Sequence, residues 1–421
     1  MNADVKIIRG LAKEWSALAS QSIMSERAAL WTALHDLKPV RPPVIIETEL
    51  MGDFITAAEL KCCNPDLRAV EYNLRHGIKH VNLFGDDYIL ANSYPVQYSL
   101  IYENGDYGVS LQYITNPATR AITTNHPVKE LSDVKKIKRK KVRVDVEASN
   151  ARKKTLDELF DGALPVVFSS GYYNLPGLTK YLYDLIGMDN IYEWLIDEPN
   201  AIADIINLLK DDYTAYVKYL EHNNLLTPNN KNQMAGSGSY GYVSGLYSSG
   251  SVKLKNQWVW LESQESATIS PAMFTEAFLP AMSEIAKLYG LVYYGCCEQL
   301  HDRFAYIEKA IPNIRSVSVS PWSDAEKMSG LLKNKYVFSK KLSPQFISDD
   351  VPNIKAQEKE ITDTLKAAGG SPLEFIYRDV YEYKNNPKKF QDWIAVVKNN
   401  TKLQLNLNPD KICQMSKNLI V

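Results

Sequence analysis

Four side chains that can bind a metal or exchange protons lie within six consecutive positions of this chain. They are Cys296, Cys297, Glu298 and His301, and they follow an apolar run at 291–294 that predicts a buried strand. In α/β proteins the carboxyl ends of strands are where chemistry is usually done. Thiolate, carboxylate and imidazole groups together suit zinc. We therefore predict a metal site here, with Glu298 and His301 also as catalytic acid–base residues.

A purely structural role for these cysteines is the alternative. Free cysteines are often buried and then behave as small apolar residues. Adjacent residues on a strand point to opposite faces, so at most one of Cys296 and Cys297 is expected to face a shared site. The spacing of the four residues matches no standard closed zinc motif, which leaves both roles open.

A second group of polar side chains ends the tryptophan-rich strand predicted at 258–261. Glu262, Gln264 and Glu265 follow this strand. The two carboxylates are suited to metal binding, general acid catalysis or hydrogen bonding with a substrate. We predict Glu265 as a catalytic residue and Glu262 and Gln264 as substrate-binding residues. The alternative roles are a charge at a helix start and a solvated residue on the rim.

Five further residues are predicted to bind substrate because they are acidic or aromatic and lie near predicted strand ends. They are Glu47, Glu49, Tyr240, Tyr242 and Trp258. The two tyrosines belong to a segment rich in glycine, serine and tyrosine at 236–251, which we predict to be a mobile flap, with a plain flexible loop as the alternative. The chain has 26 tyrosines against 11 phenylalanines, a composition that suits an aromatic-lined pocket.

The composition makes several classes of partner unexpected. With 48 basic and 49 acidic residues the net charge is −1, so neither nucleic acid nor an anionic membrane is expected as a partner. No run of about 18 apolar residues predicts a membrane span, and the charged amino terminus lacks the apolar core of a signal peptide. Five cysteines, an odd number, argue against a disulfide framework. We therefore expect a cytoplasmic protein.

Strand and helix patterns alternate along the chain. Helical patterns such as 199–221 and 354–368 separate many short apolar runs, and near-continuous apolar strands indicate a parallel sheet covered by helices. About eight such units favour an α/β fold of the (β/α)8 TIM-barrel type over an open doubly wound sheet, because no Gly-x-Gly-x-x-Gly follows a strand. The predicted strands lie at 44–47, 88–90, 164–168, 258–261, 291–294, 315–319, 336–338 and 373–377.

The chain is predicted to have two parts. Residues 1–42 form an N-terminal helical segment with a helix at 5–38, and residues 43–421 form the barrel domain. Residues 92–150 fit the barrel poorly, and their alternating strand and turn patterns predict a small antiparallel, β-rich insertion. The basic run at 135–141 in this insertion is predicted to be a solvated face, with docking of an acidic partner protein as the alternative.

Six short blocks occur in one order along the chain, at 36–42, 262–265, 270–274, 294–298, 317–322 and 378–380. Together they closely resemble the uroporphyrinogen decarboxylase superfamily, and its methyltransferase-like branch more than the decarboxylase proper. The resemblance covers nearly the whole chain. The superfamily has a (β/α)8 barrel fold, which agrees with the pattern of strands and helices.

This resemblance implies a methyl transfer linked to cobalamin. Members of the branch move a methyl group between a small substrate and a corrinoid carried on a separate protein, and some bind zinc through a His-x-Cys motif and a distant cysteine. In this chain Tyr294 stands where that histidine would be, before Gly295-Cys296, and Arg378 lies where the distant cysteine is expected. A different ligand set, drawn from the thiols, carboxylates and imidazole described above, stays open.

We predict a methyltransferase that moves a methyl group from a small methylated substrate to the cobalt(I) corrinoid of a partner protein. The substrate would be a methylamine or an aromatic methyl ether, which would make the protein a component of an O-demethylase. Porphyrinogen decarboxylation is less favoured because Glu47, Glu49 and Asp53 would repel a polyanionic substrate. A decarboxylase-like lyase and a non-catalytic corrinoid-protein-binding barrel are the alternatives. The sequence leaves open the methyl donor and whether the protein is a homodimer.

Overall fold

The computed structural model describes most of the chain, with the backbone alone at 402–406. The described residues are 2–116, 122–169, 174–247, 249–348 and 351–406. Parts of the predicted insertion (117–121), of the predicted flap (248) and of the predicted barrel domain (170–173, 349–350 and 407–421) lie outside the described residues.

Fourteen strands form within the described residues. They are β1 (Val44–Ile46), β2 (Tyr94–Val96), β3 (Ser99–Tyr102), β4 (Tyr113–Thr115), β5 (Ile122–Thr124), β6 (Val142–Asp145), β7 (Val166–Phe168), β8 (Met234–Gly236), β9 (Ser239–Tyr240), β10 (Trp258–Leu261), β11 (Leu291–Tyr294), β12 (Ile314–Val319), β13 (Val337–Lys341) and β14 (Leu373–Tyr377).

The main sheet has six parallel strands in the order β1–β14–β13–β12–β11–β10. Strands β2 and β7 form a separate parallel pair. Near the open edges of the main sheet, the Asp87 N–H donates to the Val44 carbonyl at 2.8 Å and the Trp260 N–H donates to the Asn174 carbonyl at 2.9 Å. The predicted α/β fold with a parallel sheet is confirmed. A closed eight-stranded barrel is not detected in the described residues, because β1 and β10 pair with no further strand there.

Three antiparallel pairs accompany the parallel strands. Strand β3 pairs with β6 and β4 pairs with β5, both within the segment where the insertion is predicted. The third pair, β8 with β9, is a short hairpin.

The described residues also form twelve α-helices, none of which combines the length and the apolar composition needed to cross a membrane. They are α1 (Ala3–Ala19), α2 (Ser22–His35), α3 (Pro65–Leu83), α4 (Val146–Phe160), α5 (Leu178–Asp197), α6 (Pro199–His222), α7 (Pro271–Ala277), α8 (Leu279–Ala286), α9 (Phe304–Ala310), α10 (Ala325–Leu332), α11 (Ile354–Ala368) and α12 (Pro387–Asn406).

Two predictions of secondary structure are wrong. The single helix predicted at 5–38 is two helices. The first ends at Ser20, whose N–H donates to the Ser16 carbonyl, and the extended backbone of Gln21 precedes the second. The run at 88–90 is not a strand, since the Ile89 N–H donates to the Tyr240 hydroxyl instead of to a neighbouring strand. The helices predicted at 199–221 and 354–368 are confirmed as α6 and α11.

The two faces of the main sheet differ in polarity because successive side chains of a strand alternate between faces. Val317, Phe338 and Phe375 face the apolar core that also contains helix residues. Their strand neighbours Ser339 and Glu374 are fully buried polar residues on the other, inner face. Buried polar side chains require hydrogen-bonding partners. The residues that provide these partners form the candidate site.

The segment predicted to be a flap instead packs on this inner face. Ala235, Ser237 and Ser239 of the β8–β9 hairpin are buried. A Cβ atom on Gly236 would lie 2.3 Å from the Tyr293 ring, so only glycine lets the hairpin backbone come this close. The flap prediction is therefore wrong for the hairpin, because its small residues allow it to pack closely against the sheet.

Candidate active site

Two charged residues that follow neighbouring strands form an ion pair at the carboxyl end of the sheet. Strands β1 and β14 pair in register up to Ile46 and Tyr377, so the next residues, Glu47 and Arg378, lie side by side. Arg378 Nε is 3.2 Å from Glu47 Oε2. Arg378 also donates a hydrogen bond to Ser237 Oγ, which links the sheet to the hairpin on its inner face.

A buried lysine lies on the same inner face. Lys341, the last residue of β13, donates hydrogen bonds of 2.7 Å to the hydroxyls of Tyr293 and Ser339. Glu374 accepts a hydrogen bond from Ser239 Oγ at 2.9 Å, so the hairpin and the sheet share one polar network. This network places acid–base groups inside the fold, out of contact with bulk water.

Burial shifts the pKa values of two of the charged groups on this face towards neutral pH. It raises the pKa of Glu47 to about 7, although the charge of Arg378 opposes the shift. It lowers the pKa of Lys341 to about 8, although the charge of Glu374 opposes that shift. Glu47 and Lys341 are therefore both able to exchange protons at physiological pH.

The two adjacent cysteines lie together rather than apart. Cys296 Sγ is 3.6 Å from Cys297 Sγ, and Ser237 Oγ is 3.9 Å from Cys296 Sγ. The expectation that only one faces a shared site is wrong, because both residues lie beyond the end of β11, where strand alternation no longer applies. The hydrogen bond between the thiols raises the pKa of Cys296 and lowers that of Cys297. Cys297, which is also more exposed, is the more reactive thiol.

Two buried carboxyl groups flank the thiols. Glu298 accepts hydrogen bonds from the backbone N–H groups of Ser263 and Cys296, at 3.0 and 2.8 Å. Glu262 accepts one from the Gln264 N–H through Oε2 at 3.0 Å. Burial, with the charges of Glu265 and Glu298, raises the pKa of Glu262 well above its usual value. Burial therefore favours the protonated form of Glu262, the form that can act as a general acid.

Glu265 and Gln264 hold the loop after β10 against a helix. Thr179 Oγ1, at the start of α5, donates to Glu265 Oε2 at 2.8 Å, and Gln264 Nε2 donates to Glu265 Oε1 at 3.3 Å. Both oxygens of Glu265 thus have partners, which makes Glu262 the better placed acid of the two.

His301 has different partners. Its Nδ1 accepts the Asp324 N–H at 3.1 Å, and its Nε2 lies 3.1 Å from Gln299 Nε2. These contacts fix the imidazole beside the start of α10, and its described contacts include none of the thiols or buried carboxyl groups above.

The zinc ligands predicted from sequence do not fit a metal in this arrangement. Within the described ranges no three histidine, cysteine, aspartate or glutamate side chains are grouped so that they could hold a metal ion. Both carboxylate oxygens of Glu298 accept backbone N–H groups, and Nδ1 of His301 accepts the Asp324 N–H.

The predicted aromatic substrate residues are packing residues in this structure. Trp258 is fully buried and donates from Nε1 to the Gly241 carbonyl at 2.9 Å. The Tyr240 ring meets Trp31 edge-on, 5.3 Å between centroids, and Tyr242 lies next to it. These residues fill space between the sheet and α2. The acidic residue Glu49, by contrast, is exposed.

The site also contains residues that the sequence analysis did not assign to it. Arg378, Lys341, Glu374 and Ser237 bring the main charges and hydrogen bonds to the inner face. Lys341 is the last residue of β13 and Arg378 directly follows β14. The rule that polar residues at strand ends carry chemistry would have found both, whereas the positions of Glu374 and Ser237 depend on the packing of the hairpin.

No protein-family model matches the chain, and no curated protein sequence matches it. Solved structures that match include a methyltransferase from Methanosarcina mazei, at 11% sequence identity and a TM-score of 0.49, with 89% of this chain and 98% of that chain covered. A likeness at this level carries no inference about chemistry.

Proposed function

We propose that this protein is a methyltransferase that moves a methyl group from a small methylated substrate to the cobalt(I) corrinoid of a partner protein. The observation that carries the proposal is the buried carboxyl group of Glu262 next to the thiol pair at the carboxyl ends of β10 and β11. The sequence blocks that resemble the methyltransferase-like branch of the uroporphyrinogen decarboxylase superfamily add support.

Glu262 would donate a proton to the leaving group. An aromatic methyl ether loses its methyl group as a phenoxide, which is a poor leaving group unless it is protonated as the bond breaks. Only Oε2 of Glu262 has a hydrogen-bond partner among the described residues, so Oε1 is free to carry the proton towards a substrate. Burial raises the pKa of this carboxyl group and so favours the protonated acid that the step requires.

An apolar rim at the carboxyl ends of four neighbouring strands suits docking of the partner. It consists of Leu50, Val351, Trp322 and Tyr381, which lie in the loops after β1, β13, β12 and β14 and are between 44% and 85% exposed. Exposed apolar side chains gathered at one end of a fold commonly mark a protein interface. The corrinoid supplies the cobalt(I) nucleophile when the partner is bound.

The test measures methyl transfer from two classes of donor. Purified protein is mixed with cob(I)alamin and with either 3-methoxybenzoate or glycine betaine, and loss of the cobalt(I) absorption is followed. With the ether we expect Glu262→Gln to be slower by about a hundredfold or more, since general acid catalysis contributes roughly 10²–10⁴. A quaternary ammonium donor leaves as a neutral amine and needs no proton, so any transfer from it should be unaffected by the substitution.

The control is Glu276→Gln, which makes the same change at an exposed position of α7. Loss of cobalt(I) absorption without a methyl donor, or no loss with any donor, would count against methyl transfer. In that case release of CO₂ from carboxylated aromatic probes would favour a lyase, and corrinoid binding without turnover would favour a non-catalytic binding protein.

A further inference from the structure

The thiols of Cys296 and Cys297 are in contact, and neither takes part in the proton transfer proposed for Glu262. Their sulfur atoms are 3.6 Å apart. Side chains of adjacent residues on a strand point to opposite faces, so a contact of this kind requires the chain to leave the strand conformation first. The contact between the thiols therefore depends on the turn that follows β11.

Gly295 begins this turn. Its φ of 96° lies in the region that favours glycine, because a Cβ atom makes that conformation unfavourable. A Cβ atom on Gly295 would also lie 2.9 Å from a methyl carbon of Leu300, which is too close without a shift of one of the two groups. Since the turn comes directly before Cys296, it brings the two side chains that follow it into contact.

Hydrogen bonds hold Cys296 in place on both sides. Its N–H donates to Glu298 at 2.8 Å, and its carbonyl accepts from Ser318 Oγ at 2.8 Å. Ser237 Oγ lies 3.9 Å from its sulfur atom. The thiol of Cys296 is thus positioned beside its neighbour before any reaction, which favours a reaction between the two.

The two thiols differ in their access to solvent. Cys296 is buried, whereas Cys297 is half-buried. A reagent from solution therefore meets Cys297 first. An accessible thiol with a second thiol next to it is the arrangement of a redox-sensitive cysteine and the cysteine that resolves it.

A second pair of adjacent cysteines in the same chain has a different arrangement. Cys62 is buried and its thiol donates to the Asp4 carbonyl oxygen at 3.8 Å, while Cys63 is exposed. Among the described residues a contact between two thiols is formed only by Cys296 and Cys297. The two pairs therefore share adjacency in sequence and differ in the direction of their thiols.

We propose that Cys296 and Cys297 form a reversible disulfide on reaction with a small-molecule disulfide of the glutathione type. The Cys297 thiolate attacks one sulfur atom of the reagent, which gives a mixed disulfide and releases one molecule of the reagent's thiol. Cys296 then attacks Cys297 Sγ, which closes the internal disulfide and releases the second molecule of thiol. The cysteine pair loses two electrons and two protons, and the reagent takes up both.

The adjacency of the two residues makes this disulfide reversible. Neighbouring Cα atoms are about 3.8 Å apart across a trans peptide bond, less than the roughly 4.4–6.8 Å usual for disulfides. The bond is therefore strained and easily reduced, which is typical of labile and regulatory disulfides rather than of structural ones. The reaction needs no cobalt and no methyl donor, so the proposal stands independently of the proposed methyl transfer.

Peptide mapping of the full chain after treatment with oxidised glutathione tests the proposal. The treated protein is unfolded, alkylated with iodoacetamide and cut with trypsin, which places the two cysteine pairs in separate peptides, 288–303 and 62–68. We expect peptide 288–303 to be lighter by two hydrogen atoms, to carry no alkyl group, and to regain both thiols when dithiothreitol is added before alkylation. Peptide 62–68 is the internal control and should contain no internal disulfide.

Two variants separate the steps of the reaction. Cys296→Ser lacks the resolving thiol, so Cys297 should keep one bound glutathione. Cys297→Ser retains only the buried thiol, so peptide 288–303 should then carry no glutathione. Glutathione on Cys296 in this second variant would contradict the order of attack that we propose.

The wild-type peptides alone decide the proposal if neither variant folds. Two alkyl groups on peptide 288–303, or a lasting mixed disulfide there in place of the internal one, would overturn it. An internal disulfide formed to the same extent in peptide 62–68 would also do so, because adjacency in sequence and not the contact between the thiols would then be the cause.

Discussion

Glu298 accepts a hydrogen bond from the backbone N–H of Ser263 at 3.0 Å, and this bond joins the loops that follow β10 and β11. The other carboxylate oxygen accepts the Cys296 N–H at 2.8 Å. One side chain therefore sets the distance between Glu262 and Cys297, which lie on the two loops. Glu298, predicted from sequence as a catalytic residue and a metal ligand, is in this structure placed to position its neighbours.

Glu298→Gln tests this positioning role. A glutamine amide has one acceptor oxygen, so one of the two backbone N–H groups would face an NH₂ group instead. A buried donor left unsatisfied costs about 1–3 kcal/mol. We expect the free energy of unfolding in urea to fall by that amount and methyl transfer to slow, with Glu276→Gln as the control. Unchanged stability and unchanged turnover would exclude Glu298 from the site.

Trp322→Ala tests the apolar rim. Trp322 is 70% exposed in the loop after β12, so its removal should not disturb the core. If the rim docks the corrinoid protein, the KM for that protein should rise by at least about tenfold, as for a central interface aromatic residue. The rate with free cob(I)alamin should stay the same. Tyr306→Ala, at an exposed position of α9, is the control, and equal effects of the two changes would contradict docking at the rim.

Gly236→Ala tests the packing of the β8–β9 hairpin. The added methyl group would lie 2.3 Å from the Tyr293 ring, which is fully buried and has little room to move. Overpacking of this kind typically costs about 1–3 kcal/mol, measurable by urea unfolding. Gly245→Ala, where no atom lies within 4 Å of the new Cβ, should have no such cost. Equal stability of the two variants would show that the hairpin is not tightly packed.

His35 should control part of the acid sensitivity of the fold. Burial lowers its pKa from 6.5 to about 4, so the neutral imidazole is favoured in the folded state. Its contribution to stability is complete above pH 6.5 and is lost as the pH falls towards 4, by up to about 3 kcal/mol.

His35→Gln should therefore flatten the dependence of unfolding free energy on pH between 6.5 and 4. The exposed residue His222 provides the control, because His222→Gln should leave that dependence as in the wild-type protein. A wild-type pH profile in the His35 variant would mean that another group carries the acid sensitivity.

The repeated strand and helix patterns were predictable because they depend on residues close together in sequence. The apolar runs at 258–261, 291–294 and 373–377 became β10, β11 and β14 with these bounds. The run at 88–90 has the same composition, yet its backbone is bonded to the Tyr240 hydroxyl. Apolar composition alone does not decide whether such a run becomes a strand, because that depends on the hydrogen-bonding partners available to its backbone.

The sequence by itself determined that parallel strands would end in polar residues, and it placed Glu47, Glu262 and Cys297 at those ends. Only the tertiary structure decided which of these groups meet. Arg378 reaches Glu47 from the opposite end of the chain because β1 and β14 are neighbours in the sheet. The physical reason is that burial and partners set the chemistry of a side chain, and both arise from residues distant in sequence.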